Sequence, residues 1–124
     1  MKKSILILSL AVFCFSCGGN GNENPGDSKP AAANDPDVEK GMLLVGKSDC
    51  VGCHRINETL VGPPYSAVAK KYENNAAHID TLALKIQKGG SGNWGSVPMA
   101  AHDGISKEDA VLMAKYVLSL KDAK

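Results

Sequence analysis

The sequence has 124 residues, with 14 Lys and Arg against 13 Asp and Glu and a formal net charge of +1. That length allows one small domain plus appendages. Charges so balanced and scattered exclude a basic nucleic-acid-binding face and strong electrostatic steering of a partner.

The chain opens with a targeting segment. Met1-Lys2-Lys3 gives a positive start, and Ile5 to Phe15 is apolar except for Ser9. Such a run has the length of a signal peptide and falls short of the roughly 18 residues a spanning helix needs. Export to an oxidising compartment is expected. Of the four cysteines, Cys14 lies inside the apolar run, and Cys17 sits where a bacterial lipoprotein signal places its modified cysteine. An ordinary signal that frees or removes Cys17 is the alternative. Lipidation is favoured because no A-x-A-like cleavage site follows promptly and a free exported thiol is a liability. Residues 18–36, GGNGNENPGDSKPAAANDP, carry too little apolar bulk to offset the entropy of ordering. They are expected to act as a flexible tether spanning roughly 25 Å. The division expected is a signal over 1–16, a tether over 17–36 and a folded domain over 37–124.

From Asp35 onward every periodic segment predicts helix, and no internal repeat occurs. Asp35-Pro36 provides a cap and a first-turn proline, with Asp37 and Glu39 at the positive end of the dipole. Val38, Met42 and Val45 form the expected inward face. After the next motif, Asn57-Glu58-Thr59 reads as a polar turn, and Val61-Gly62-Pro63-Pro64 holds off helix until Pro64. Tyr65, Val68, Ala69 and Tyr72 then fall on one face of a short helix, as do Ile79, Leu82, Ala83 and Ile86 on a second, which Gly89-Gly90 end. Residues 89–102, GGSGNWGSVPMAAH, predict an irregular glycine-rich loop. Ser106 to Asp109 resembles a capping box, and Ala110, Met113, Ala114 and Val117 face inward on the last helix. His78 is expected on a solvated helix start.

Between the first two helices stands Cys50-Val51-Gly52-Cys53-His54. Two thiols three positions apart can add across the two vinyl groups of one haem, and the following histidine then lies beneath the iron. Three other readings use the same residues. A thioredoxin-like dithiol needs alternating strands and helices, and no strand-period run follows. A zinc site needs a second closely spaced ligand pair, and His78 and His102 form none. A disulfide across two residues is strained. Both phenylalanines fall in the signal, leaving three Tyr and one Trp for the domain. So small a core is marginal alone, and a buried cofactor would supply the missing apolar contact.

The whole set resembles the class I cytochromes c, in particular the small bacterial c-551/c-552 type, over residues 37–121. The resemblance rests on the CxxCH run with Leu60-Val61-Gly62-Pro63-Pro64-Tyr65, Lys88-Gly89-Gly90 and Asn93-Trp94-Gly95-Ser96-Val97-Pro98-Met99. It implies an all-α cytochrome c fold of four short helices wrapped around one covalently attached haem c. It further implies His54 and Met99 as the iron ligands and Pro63 as the carbonyl that accepts the second ring N–H of His54. Trp94 would direct its indole N–H at a haem propionate, with Lys85 near the propionates. Met99 follows Pro98 in a loop with little apolar periodicity, so packing explains it poorly, whereas Met42 and Met113 read as packing. His102 is the rival ligand, at a position where relatives often bond the methionine sulfur. Val45 replaces an aromatic that usually packs between first and last helices, which would thin the contact with Tyr116.

With both axial positions filled, the implied function is one-electron transfer through the haem edge, not catalysis. Its partners would be redox proteins: a respiratory donor complex, and a terminal oxidase, nitrite reductase or peroxidase as acceptor. A periplasmic domain held to the membrane through Cys17 is the expected setting. The alternative is a haem enzyme or gas sensor with a labile Met99, but it lacks a distal acid–base group beyond His102.

Overall fold

The computed structural model describes residues 35–124. Cys17, the signal and residues 17–34 of the tether lie outside the described residues. Among the described residues no helix is long and apolar enough to cross a membrane.

Helix α1 spans Pro36–Lys47, α2 Tyr65–Lys71, α3 Ala76–Lys88 and α4 Lys107–Ser119. Short 3-10 turns cover Asp49–Gly52 and Leu120–Asp122. Each boundary has a local cause. The Asp35 carboxylate accepts from the Asp37 amide at 2.9 Å, with Pro36 fixing the first turn. Helix α1 thus takes in the last residue assigned by sequence to the tether. Asn75 caps α3 by accepting from the His78 amide at 3.0 Å, and Ser106 caps α4 by accepting from the Asp109 amide at 3.1 Å. Gly89, at φ 63°, ends α3 in a conformation that favours glycine.

The four helices meet on α4, which packs along α1 and α3 and touches α2. Val45, Tyr65, Val68, Met113 and Val117 form the central cluster. Of the inward faces expected for α2 and α4, Tyr65, Val68 and Ala69 are buried on one, with Tyr72 only partly so, and Ala110, Met113, Ala114 and Val117 on the other. Helix α1 differs. Met42 is 47% exposed, and the buried positions are Gly41 and Val45. Met42 is therefore not a packing residue. A β-carbon at Gly41 would lie 2.1 Å from the Leu112 carbonyl oxygen, so α1 and α4 approach backbone to backbone there. Tyr116 finds its aromatic partner on α2 instead of α1, edge-on to Tyr65 with ring centroids 6.5 Å apart.

Gly41→Ala should consequently destabilise the haem-loaded protein. Alanine's helix propensity contributes about 1 kcal/mol, but forcing two helix backbones apart costs up to about 3 kcal/mol. We expect a net loss of about 2 kcal/mol, read as a lower denaturant midpoint at unchanged slope.

The glycine-rich segment is not irregular. Strands β1, Gly90–Gly92, and β2, Gly95–Met99, pair antiparallel, with Gly90 opposite Met99 and Gly92 opposite Gly95. Positive φ at Gly90, Gly92 and Gly95 lets so short a hairpin close. Among the described residues this small sheet departs from the expected all-helical arrangement.

Candidate functional site: a haem cleft

The turn after α1 sets the two thiols. Ser48 stops the helix, its hydroxyl donating to the Leu44 carbonyl at 2.8 Å. The Cys53 and His54 amides then both donate to the Cys50 carbonyl, at 3.2 and 3.0 Å. Cys50 packs against the core cluster and Cys53 is exposed. Both thiols are free. Burial, reinforced by the nearby Asp49 charge, pushes the Cys50 thiol above its ordinary value. The site therefore does not make Cys50 a ready thiolate.

His54 is held from three sides. Its Nδ1 lies 2.7 Å from the Pro63 carbonyl oxygen, which can only accept, so Nδ1 carries the proton. That leaves Nε2 as the lone-pair nitrogen, the form in which imidazole binds a metal. The Tyr65 ring stacks on the imidazole at 5.3 Å and 15°. Gly62 closes the edge: a β-carbon there would sit 2.4 Å from His54 Cε1. The intervening loop is pinned by the Val61 and Gly62 amides to the Cys53 carbonyl, and by the Tyr65 amide to the Arg55 carbonyl. Sequence reading named Pro63 but missed the steric role of Gly62, since a lone glycine before two prolines reads first as a loop signal.

Met99 ends β2, half-buried and paired to Gly90. Its backbone presses on Gly89, where a β-carbon would meet the Met99 carbonyl oxygen at 2.4 Å. Trp94 sits at the hairpin tip, 43% exposed, which excludes a role as core filler. Lys71 Nζ lies 4.4 Å from the Trp94 ring centroid and donates to the Asn93 carbonyl at 2.7 Å. The sequence named Lys85 and passed over Lys71, which reads as one more charge on a short solvated face. His102 bonds elsewhere: Nε2 to Asp49 Oδ1 at 3.0 Å and Nδ1 to the Ile86 carbonyl at 3.3 Å. His78 is not a freely solvated residue. It is half-buried, edge-on to Tyr72 at 5.5 Å, with Nδ1 3.1 Å from the Glu73 carbonyl.

Cys50, Cys53, His54, Pro63, Lys85, Trp94 and Met99 all line one cleft of about 760 Å³, within the about 300–1,000 Å³ usual for cofactor sites. Among the described residues no three His, Cys, Asp or Glu side chains are grouped so as to hold a metal ion. The cleft wall is unfinished by the chain itself. Val61, Leu84, Trp94 and Val97 line it, yet they are 43–62% exposed. Tyr65, also in the wall, buries a hydroxyl with no hydrogen-bond partner among the described residues.

Residues 38–121 match the family model for cytochrome c. The chain belongs to the cytochrome c family. It is 43% identical over 83 residues to cytochrome c-551 of Azotobacter vinelandii, covering 67% of this chain and 100% of that protein. To cytochrome c-552 of Hydrogenobacter thermophilus it is 44% identical over 78 residues, 63% of this chain and 79% of that one. The crystal structure of wild-type Nitrosomonas europaea cytochrome c552 superposes with a TM-score of 0.60 at 35% identity, covering 64% of this chain and 98% of that one. As a cytochrome c, the chain is an electron-transfer protein rather than an enzyme and carries one covalently attached haem c. The residues present fit that group: free thiols three apart, an imidazole with its outer nitrogen already satisfied, and exposed apolar side chains on the cleft wall.

Proposed function

We propose that this cytochrome c shuttles single electrons between respiratory redox proteins outside the cytoplasm. Cys50 and Cys53 would hold the haem through thioethers, with His54 Nε2 and Met99 as iron ligands. The observation that carries this reading is the His54 Nδ1 to Pro63 carbonyl contact of 2.7 Å, which fixes both tautomer and ring orientation inside the cleft. When bound, the haem supplies a one-electron iron couple.

The chain's own residues determine how that couple is used. Pro63, Gly62 and Tyr65 keep the imidazole from turning, so little rearrangement accompanies a change of charge. Pairing with Gly90 fixes the backbone of Met99. Trp94 and Lys85 line the cleft and are suited to the propionates, Trp94 as an N–H donor and Lys85 as a cation. Exposed Ala100 and Ala101, which follow Met99, offer a small apolar rim for a brief contact of the transient size class. The partners would be a respiratory donor complex, and a terminal oxidase, nitrite reductase or peroxidase as acceptor. Lipidated Cys17 would keep the domain on a periplasmic membrane face.

One preparation tests both parts. The full chain co-expressed with a haem-maturation system should show acid-stable haem, a six-coordinate reduced spectrum and no rapid carbon monoxide binding. It should fractionate with membranes, and Cys17→Ser should release it with an unchanged spectrum. Rapid carbon monoxide binding would refute the carrier reading. A soluble wild-type protein whose N-terminus lies beyond Cys17 would refute the anchor.

A further inference from the structure

The segment that follows Met99 has few holds of its own. Ala100 and Ala101 are exposed and lie between β2 and the start of α4. His102 makes the connections. Its amide donates to the Ile86 carbonyl at 3.2 Å and its Nδ1 approaches the same oxygen at 3.3 Å. Its Nε2 meets Asp49 Oδ1 at 3.0 Å, and its own carbonyl accepts from the Ile105 amide at 3.0 Å. Gln87 Nε2 completes the bracket on the Ile105 carbonyl at 2.9 Å.

Each ring nitrogen faces an oxygen that can only accept, so a ring N–H of His102 donates to Asp49 or to Ile86 and not elsewhere. Ile86 lies in the last turn of α3, where carbonyls lack helical partners and the dipole is negative. The His102 side chain is 17% exposed, so it cannot swing freely into water. Asp49 stands immediately before Cys50, at the start of the turn that carries the thiols.

We propose that His102 is a positioning residue: it latches the Met99 segment to the thiol-bearing turn through Asp49 and to the end of α3 through Ile86. This rests on the reading of Met99 as the iron ligand and deepens it. With both ring nitrogens engaged, His102 does not donate to the methionine sulfur. It acts on Met99 through the backbone of the two intervening residues, Ala100 and Ala101, by limiting how often the segment opens. Two stretches 53 residues apart in sequence, one covalently tied to the haem and one bound to its iron, are thereby joined directly.

The test uses the full haem-loaded chain carrying His102→Ala, Asp49→Ala or both. Two readouts are followed: the rate at which imidazole displaces the sulfur ligand of the oxidised protein, and amide exchange at Ile105. Asp49 is 82% exposed in this pair, so its removal should speed imidazole entry about fivefold, the upper range for an exposed ion pair. His102→Ala, which also loses the Ile86 contact, should give about tenfold. The double variant should match His102→Ala instead of multiplying to about fiftyfold, because both substitutions break one latch. Ile105 exchange should follow the same order, while the sulfur-to-iron band at rest persists in every variant. Unchanged rates in the single variants, multiplicative effects in the double, or loss of the band in His102→Ala would each overturn the latch. A wild-type protein without that band would overturn the Met99 reading itself, before any variant is compared.

Discussion

Replacing Cys50 and Cys53 together with serine should leave a chain that keeps no acid-stable haem and no longer unfolds cooperatively. The reason lies in the cleft wall. Among the described residues the core has a single large side chain that is fully enclosed, Met113, and much of the rest is alanine and valine. Val61, Leu84, Trp94 and Val97 stand half-exposed around the cleft. Completing the burial of each is worth about 1 kcal/mol, half the value of a full side chain. The sum, about 4 kcal/mol, is comparable with the whole stability of a small domain. Relief of the unpartnered Tyr65 hydroxyl would add to it. Thermal denaturation followed by circular dichroism checks the expectation. A sharp, two-state transition in the doubly substituted chain would show that the helices close on their own.

Met99→Ala should have the next largest effect, on the metal instead of the fold. Thioether sulfur favours the ferrous state, so its removal should lower the reduction potential. Axial ligands set potentials across about 0.8 V, and a fall on the order of 0.1 V or more is expected. The weak sulfur-to-iron band of the oxidised protein should vanish, and the reduced iron should bind carbon monoxide. His102→Ala should keep the resting band and a potential close to that of the parent. If His102→Ala instead opens the iron while Met99→Ala leaves it closed, the ligand assignment passes to His102.

What the sequence revealed, and what it hid, follows from the range of each interaction. The cysteine pair and His54 are legible because attachment chemistry demands three residues within five positions. The faces of α2 and α4 are legible because burial repeats with the helical period. Helix α1 misled, since its closest contact is made by Gly41, which has no side chain to mark the buried face, while apolar Met42 points outward. The hairpin escaped notice because its strands alternate nothing: glycine and serine supply a geometry without an apolar stripe. The joining of Asp49 to His102 has no local signature, because neither residue's neighbours hint at a partner so distant in the chain. Lys71 over Trp94 is hidden in the same way.

The pairing of α1 with α4 also imposes an order of events on a chain that is folding. Gly41 and Val45 are covered by the final helix, whose inward residues run to Leu118. Cys53 and Leu118 stand 65 positions apart in the chain, so this cover is a long-range contact that forms late in folding. Until α4 docks, α1 has no lid, so the turn that carries the thiols stands open to attachment of the haem. The last helix then closes the door behind the cofactor, and the two ends of the domain meet only when there is something between them to hold.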